Sequence, residues 1–172
     1  MTSNVDTFGV INNYEGATLA YASVDADGIV RNLGTLNVTG TYAIGDEGET
    51  TFAGDTKVGT LSIGRTAKTM LMARDGQEAV LHNTGKTYAD ELDLVSGQVM
   101  VEKDSILAGK SLKNGAVGSD IIVSAGGTFG FSHDKSSLEN ALKNYTGSKA
   151  DKAILALSTD LHFGQGGSLT VG

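Results

Sequence analysis

Apolar and polar residues alternate in short runs along most of this chain, the period-two signature of half-buried β-strands. One apolar–x–apolar pattern recurs at Leu36/Val38, Leu61/Ile63, Leu92/Leu94, Ile121/Val123 and Leu169/Val171. The steps between copies are 25, 31, 29 and 48 residues, and all but the last approach the ~20–30 residues of a solenoid coil. Further strand-like runs cover 41–44, 69–72, 79–82 and 98–101. Turn signals stand between them at Asp27-Gly28, Asp75-Gly76, Thr84-Gly85 and Asn114-Gly115.

Short strands with regular turns suit a sandwich or barrel as well as a solenoid. Two features favour the solenoid. The same strand text returns at coil spacing, and two-residue hairpin signals are scarce. In a solenoid each backbone N–H pairs with the coil above or below, at about 4.8 Å. No coil buries its core alone. Glycines are expected at corners, where φ is positive or two coils approach closely.

One segment departs from alternation. Over 136–145 the sequence SSLENALKNY predicts a helix, with Ser136 and Glu139 as a capping box. Leu138, Ala141, Leu142 and Tyr145 fall on one helical face, and Thr146-Gly147 supplies the stop. An insertion over 134–150 is expected to lie on the solenoid flank and to account for the long final step. Strand alternation resumes at 152–158, and 161–164 and 169–171 follow. The last residues read as the middle of a strand. The expectation is one solenoid segment, 1–172, belonging to a longer chain.

Composition narrows the setting. The 172 residues include 24 Gly and no Pro, about twice the usual ~7 % glycine, which excludes collagen and Pro-rich linkers. Few aromatics are present, so the core must come from Val, Ile, Leu and Ala. The net charge is −7 and no basic run occurs, so the electrostatic footprint of nucleic-acid binding is lacking. An anionic membrane surface would repel the chain for the same reason. No stretch reaches the ~18 apolar residues of a membrane-spanning helix, and MTSNVDTFGV lacks the features of a signal peptide. No membrane insertion is expected of this segment. With no cysteine, disulfides, Cys-based zinc sites and thiol nucleophiles are excluded, a composition that suits bacterial secreted proteins.

Candidate chemistry is sparse. Ser132-His133-Asp134 names the residues of a triad, but neighbours in an extended chain point to alternate faces while a triad must converge. A polar turn before the helix is the simpler reading. His82, His133 and His162 show no i, i+4 zinc spacing and read as solvent-facing or structural. Asp25-Ala26-Asp27-Gly28 resembles the start of a calcium loop, but Leu36 stands where the twelfth-position Glu would be. It reads as an Asp-Gly turn, with calcium at Asp25 and Asp27 left open. Gly164-Gln165-Gly166-Gly167 lacks the Lys-Ser/Thr of a phosphate loop and reads as a coil corner. Asp90, Glu91 and Asp93 form the tightest acidic group. Asp93 should face away from Leu92 and Leu94, so a charged rim is preferred to a polysaccharide-cleaving site. Asn37-Val38-Thr39 and Asn144-Tyr145-Thr146 match the glycosylation pattern by chance. No catalytic, cofactor-binding or metal residue is assigned, and no enzyme activity is expected.

The stretch AILALSTDLHFGQGGSLTVG at 153–172 resembles the passenger region of bacterial autotransporters of type V secretion. GTLNVTG from Gly34, GTLSIG from Gly59 and VSAGGTFGF from Val123 are similar in style, and the resemblance covers most of 30–172. It implies an all-β, right-handed parallel β-helix secreted or displayed on the outer surface of a Gram-negative bacterium. It implies adhesion or self-association, with a host or bacterial surface receptor, a glycan or copies of itself as partner. Two alternatives stand beside it: a fibre subunit stacking through open β-edges, and a carbohydrate-active β-helix enzyme.

Overall fold

Alternation becomes strand almost wherever it occurs. The computed structural model describes residues 3–64, 78–131, 135–147, 152–157, 161–164 and 166–172. Strands are numbered along the chain. Sheet A contains β1 (Asn4–Thr7), β3 (Thr18–Tyr21), β4 (Ser23–Ala26), β6 (Thr35–Ile44), β8 (Asp55–Ile63), β10 (Lys86–Leu94), β12 (Ile106–Leu112), β14 (Thr128–Phe131) and β15 (Ile154–Leu157). Sheet B contains β2 (Val10–Asn13), β5 (Ile29–Asn32), β7 (Glu49–Phe52), β9 (Val80–Asn83), β11 (Gln98–Val101), β13 (Asp120–Val123) and β16 (Ser168–Val171). Among the described residues every strand pair is parallel. The chain passes from sheet A to sheet B and back once per coil, as expected of a parallel β-helix.

The long strands of sheet A bend in the middle. The first half of β6 pairs with β3 and its second half with β4, with a register shift between Val38 and Thr41. Each full coil therefore has three faces, each offering two inward positions. In β6 and β7 these are Leu36 and Val38, Tyr42 and Ile44, Thr50 and Phe52, all buried. Stacked through the coils they form columns such as Leu61–Leu92 and Ile121–Leu169. The continuous core anticipated from the sequence is present. Aromatics enter it despite their scarcity: Tyr42 packs edge-on to Phe52 at 5.0 Å, and Phe129 edge-on to Phe131 at 5.5 Å.

The coil period corrects the reading from sequence. Thr35 pairs with Asp55 and Lys86 with Ile106, steps of 20 residues. Leu36 accordingly stacks on Thr56, and not on Leu61. Ile121 lies in a different sheet from Leu92. The 31-residue step from Leu61 to Leu92 joins true neighbours, as does the 48-residue step from Ile121 to Leu169. The steps of 25 and 29 join different faces. The cause is simple: all three faces alternate inward and outward with the same period, and text alone does not say which face is being read.

Two corners explain their glycines by close approach. A Cβ on Gly54 would lie 2.0 Å from the Gly34 carbonyl oxygen, and one on Gly85 would lie 2.2 Å from that of Gly54. At Asn114-Gly115 the reason is conformation, with φ of 61° and 67°. The runs at 69–72 and Asp75-Gly76 lie outside the described residues.

The predicted helix is present as α1 (Lys135–Asn144). It lies between β14 and β15, which are adjacent in sheet A, while β16 returns to pair with β13. The excursion thus takes the place of one passage through sheet B. Leu138 is buried, and its Cδ1 lies 3.3 Å from where a Cβ on Gly130 would be, so α1 rests on the outer flank of sheet A. Two details differ from expectation. Ser136 is the second helical residue and is no N-cap, and Glu139 instead pairs with Lys135 at 3.7 Å. Of the expected apolar face, Leu138 alone is fully covered; Ala141 and Tyr145 are exposed.

Candidate functional site: a groove between the helix and the sheet

The outward positions of β6, β8 and β10 carry Thr35 and Asn37, Asp55 and Lys57, Lys86 and Tyr88. Register sets them in rows: Asn37 beside Lys57, Lys57 beside Tyr88, Asp55 beside Lys86. In β12 the row continues as Ala108, and in β14 as Gly130. Those small residues are where α1 seats. The helix then stands as a wall over a floor of polar side chains, enclosing a groove of about 660 Å³.

Tyr88 joins wall to floor. Its hydroxyl donates to Glu139 Oε1 at 3.4 Å, and Lys135 Nζ lies 4.9 Å from its ring centre. Burial, then the negative charge of Glu139 and the bond to it, then Asp55, push the Tyr88 phenol up to about 12. Along the groove, Lys110 pairs with Asp90 at 3.1 Å. Lys57 and Lys86 are exposed, and among the described residues neither has a carboxylate within 4.0 Å.

Inside the coils runs a polar thread that alternation did not reveal. Asn13 donates to Asn32 at 2.8 Å and to the Thr35 carbonyl at 2.9 Å. Asn32 donates to Thr56 Oγ1 at 3.0 Å and to the Asp55 carbonyl at 3.2 Å. Asn83 donates to the Ile106 carbonyl at 2.8 Å and accepts from Thr87 at 2.6 Å. Tyr42 and Thr50 share a hydrogen bond of 2.8 Å, and burial drives the Tyr42 phenol far upward against it. These groups are buried and bonded, as interior polar groups must be. Asn-Leu-Gly at 32–34 and Asn-Thr-Gly at 83–85 were the available signal.

Among the described residues, those singled out from sequence are not brought together in one place. Ser132, His133 and Asp134 lie outside the described residues. His82 is on the outer face of sheet B, with Nε2 3.6 Å from Glu49 of the adjacent strand β7. His162 is exposed beside an isolated bridge between Val117 and Phe163. Asp93 does point outward, accepting from Ser62 at 3.3 Å between buried Leu92 and Leu94. Asp90 faces the groove with Lys110. Asp25 is exposed, and buried Ala26 separates it from Asp27. Among the described residues no group of three or more His, Cys, Asp or Glu is placed to hold a metal ion, and no helix is long and apolar enough to cross a membrane. Gly164 accepts from the Gly167 amide at 3.1 Å, closing the expected corner; Gln165 lies outside the described residues.

The motifs that touched groove residues, the glycosylation pattern at Asn37, the acidic group at Asp90 and the capping box of Ser136 and Glu139, did not mark a groove. Lys57, Lys86 and Lys135 are distant in sequence and meet only through coil register and the helix. No protein-family model, no curated protein and no solved structure matches this chain.

Proposed function

We propose that the chain is a surface-exposed or secreted bacterial passenger segment, of the autotransporter type, that works by adhesion through its long side. The observation carrying this reading is the groove. It crosses four consecutive strands of sheet A, and its floor comes from outward side chains on a regular stack. Such a surface meets an extended ligand or another cell surface without enclosing it. The passenger-like text at 153–172 supports the same reading, since the strands formed by that text continue the stack as β15 and β16. A charge of −7 would favour solubility at the cell exterior.

The test is saturable binding of the labelled, purified chain to bacterial and host cell surfaces, with sedimentation run beside it. Saturable binding by a monomer is expected. Absence of binding, together with release of new reducing ends from polysaccharide, would overturn the reading in favour of an enzyme.

A further inference from the structure

We infer that the groove between α1 and sheet A binds a linear acidic polysaccharide, one bearing carboxylates on its sugars, laid along the solenoid axis. The inference rests on the adhesive reading and names its ligand class.

Shape comes first. The floor is supplied by β6, β8, β10 and β12, so it extends over three inter-coil steps of about 4.8 Å each. A volume of about 660 Å³ is that of a real binding recess.

Chemistry comes next. The floor offers donors and acceptors together: the Thr35 hydroxyl, the Asn37 amide, the Asp55 carboxylate and the ammonium groups of Lys57 and Lys86. A lipid or an apolar peptide segment would strip water from these groups and return nothing. Sugar hydroxyls donate and accept in turn, and so match both kinds of partner.

Charge then selects the acidic class. Four lysines and three carboxylates line the groove, in a chain whose net charge is −7. Two of those carboxylates, Asp90 and Glu139, are already engaged by Lys110 and Lys135. Among the described lining residues that leaves Asp55 as the one carboxylate to set against Lys57 and Lys86, and it forms an ion pair with neither. They lie on adjacent strands, one beside Tyr88 and the other beside Asp55, so two ammonium groups line successive coils along the axis. Two such groups suit carboxylates borne on neighbouring sugars.

Polygalacturonate serves as the probe, with neutral dextran and single-stranded DNA beside it, all tested on the full chain. Saturable binding to polygalacturonate is expected, weakening as salt is added. Lys57→Ala/Lys86→Ala should lose about tenfold or more in affinity, while Lys57→Arg/Lys86→Arg should retain most of it. Lys103→Ala, at an exposed turn after β11, should change nothing. All the substituted side chains are exposed, and an unchanged Tm confirms folding. Equal binding to dextran, preference for DNA, or an unchanged affinity in the double alanine variant would each overturn the inference. If the chain binds cells but not polygalacturonate, this inference falls and the adhesive reading stands. If it binds neither, both fall.

Discussion

Two stretches of the same core are built differently. In the coils up to β10, one interior column runs Asn13, Asn32, Phe52, Asn83, and Thr50, Thr56 and Thr87 are buried beside it. Beyond β10 the same column continues as Val101, Val123 and Val171, with Leu107, Phe129 and Phe131 as neighbours. The backbone geometry is shared; the interior chemistry is not. In the first stretch each asparagine reaches a carbonyl 22 or 23 residues further on, which ties one coil to the next. An aliphatic column gains more from burial but fits equally well after a slip of a whole coil. An asparagine displaced by one coil would lose its partners inside a dry core. The polar thread therefore gives up some stability and specifies coil register, the use best attested for buried polar groups.

The largest effect is expected on the apolar side. Phe129 is fully buried and stacks on Leu107 and Leu155. Phe129→Ala should cost about 3–5 kcal/mol in urea unfolding. A loss near 1 kcal/mol would show that the later coils are loosely packed and that the contrast is false.

A smaller effect, with a distinctive signature, is expected in the polar thread. Asn83→Ala strands the Thr87 hydroxyl and the Ile106 carbonyl and should cost about 1–3 kcal/mol. Asn83→Val/Thr87→Val removes both members of the 2.6 Å pair and should recover much of that loss. Strictly additive penalties in the double-mutant cycle would refute the coupling and reduce the thread to a row of independent contacts.

How far the sequence reveals this depends on the kind of feature. Strands were legible, because burial on one face imposes period two. So was α1, whose apolar residues switch to helical spacing near Leu138. Coil register was not, because all three faces carry the same alternation and Leu36 can be matched to Leu61 as readily as to Thr56. The asparagines were passed over because Asn13, Asn32 and Asn83 end their strands beside turn residues, where a buried Asn and a solvent-facing one read alike. The groove was the least legible. Lys57 and Tyr88 are neighbours only because β8 and β10 pair in one register, and Lys135 joins them only because Gly130 leaves room for Leu138.

The finest test contrasts a tyrosine inside the stack with one outside it. Tyr42 is sealed in the polar-threaded core and its phenol is raised chiefly by burial; Tyr88 is half-buried at the groove, where Glu139 adds its charge and a hydrogen bond. Glu139→Gln removes that charge and should lower the Tyr88 value from about 12 toward the ordinary ~10, read by alkaline ultraviolet difference absorbance. Tyr42 should not move. The sign for stability follows from linkage. Between about 10 and about 12 the unfolded phenol of Tyr88 releases its proton while the folded one keeps it. The stabilising contribution is intact below that window and lost as pH rises through it. Glu139→Gln should narrow the window from its upper side and leave stability at neutral pH almost unchanged, because the pair it breaks is exposed and worth little. An unshifted Tyr88 titration would mean that α1 does not hold Glu139 against the sheet, and the groove would lose its wall.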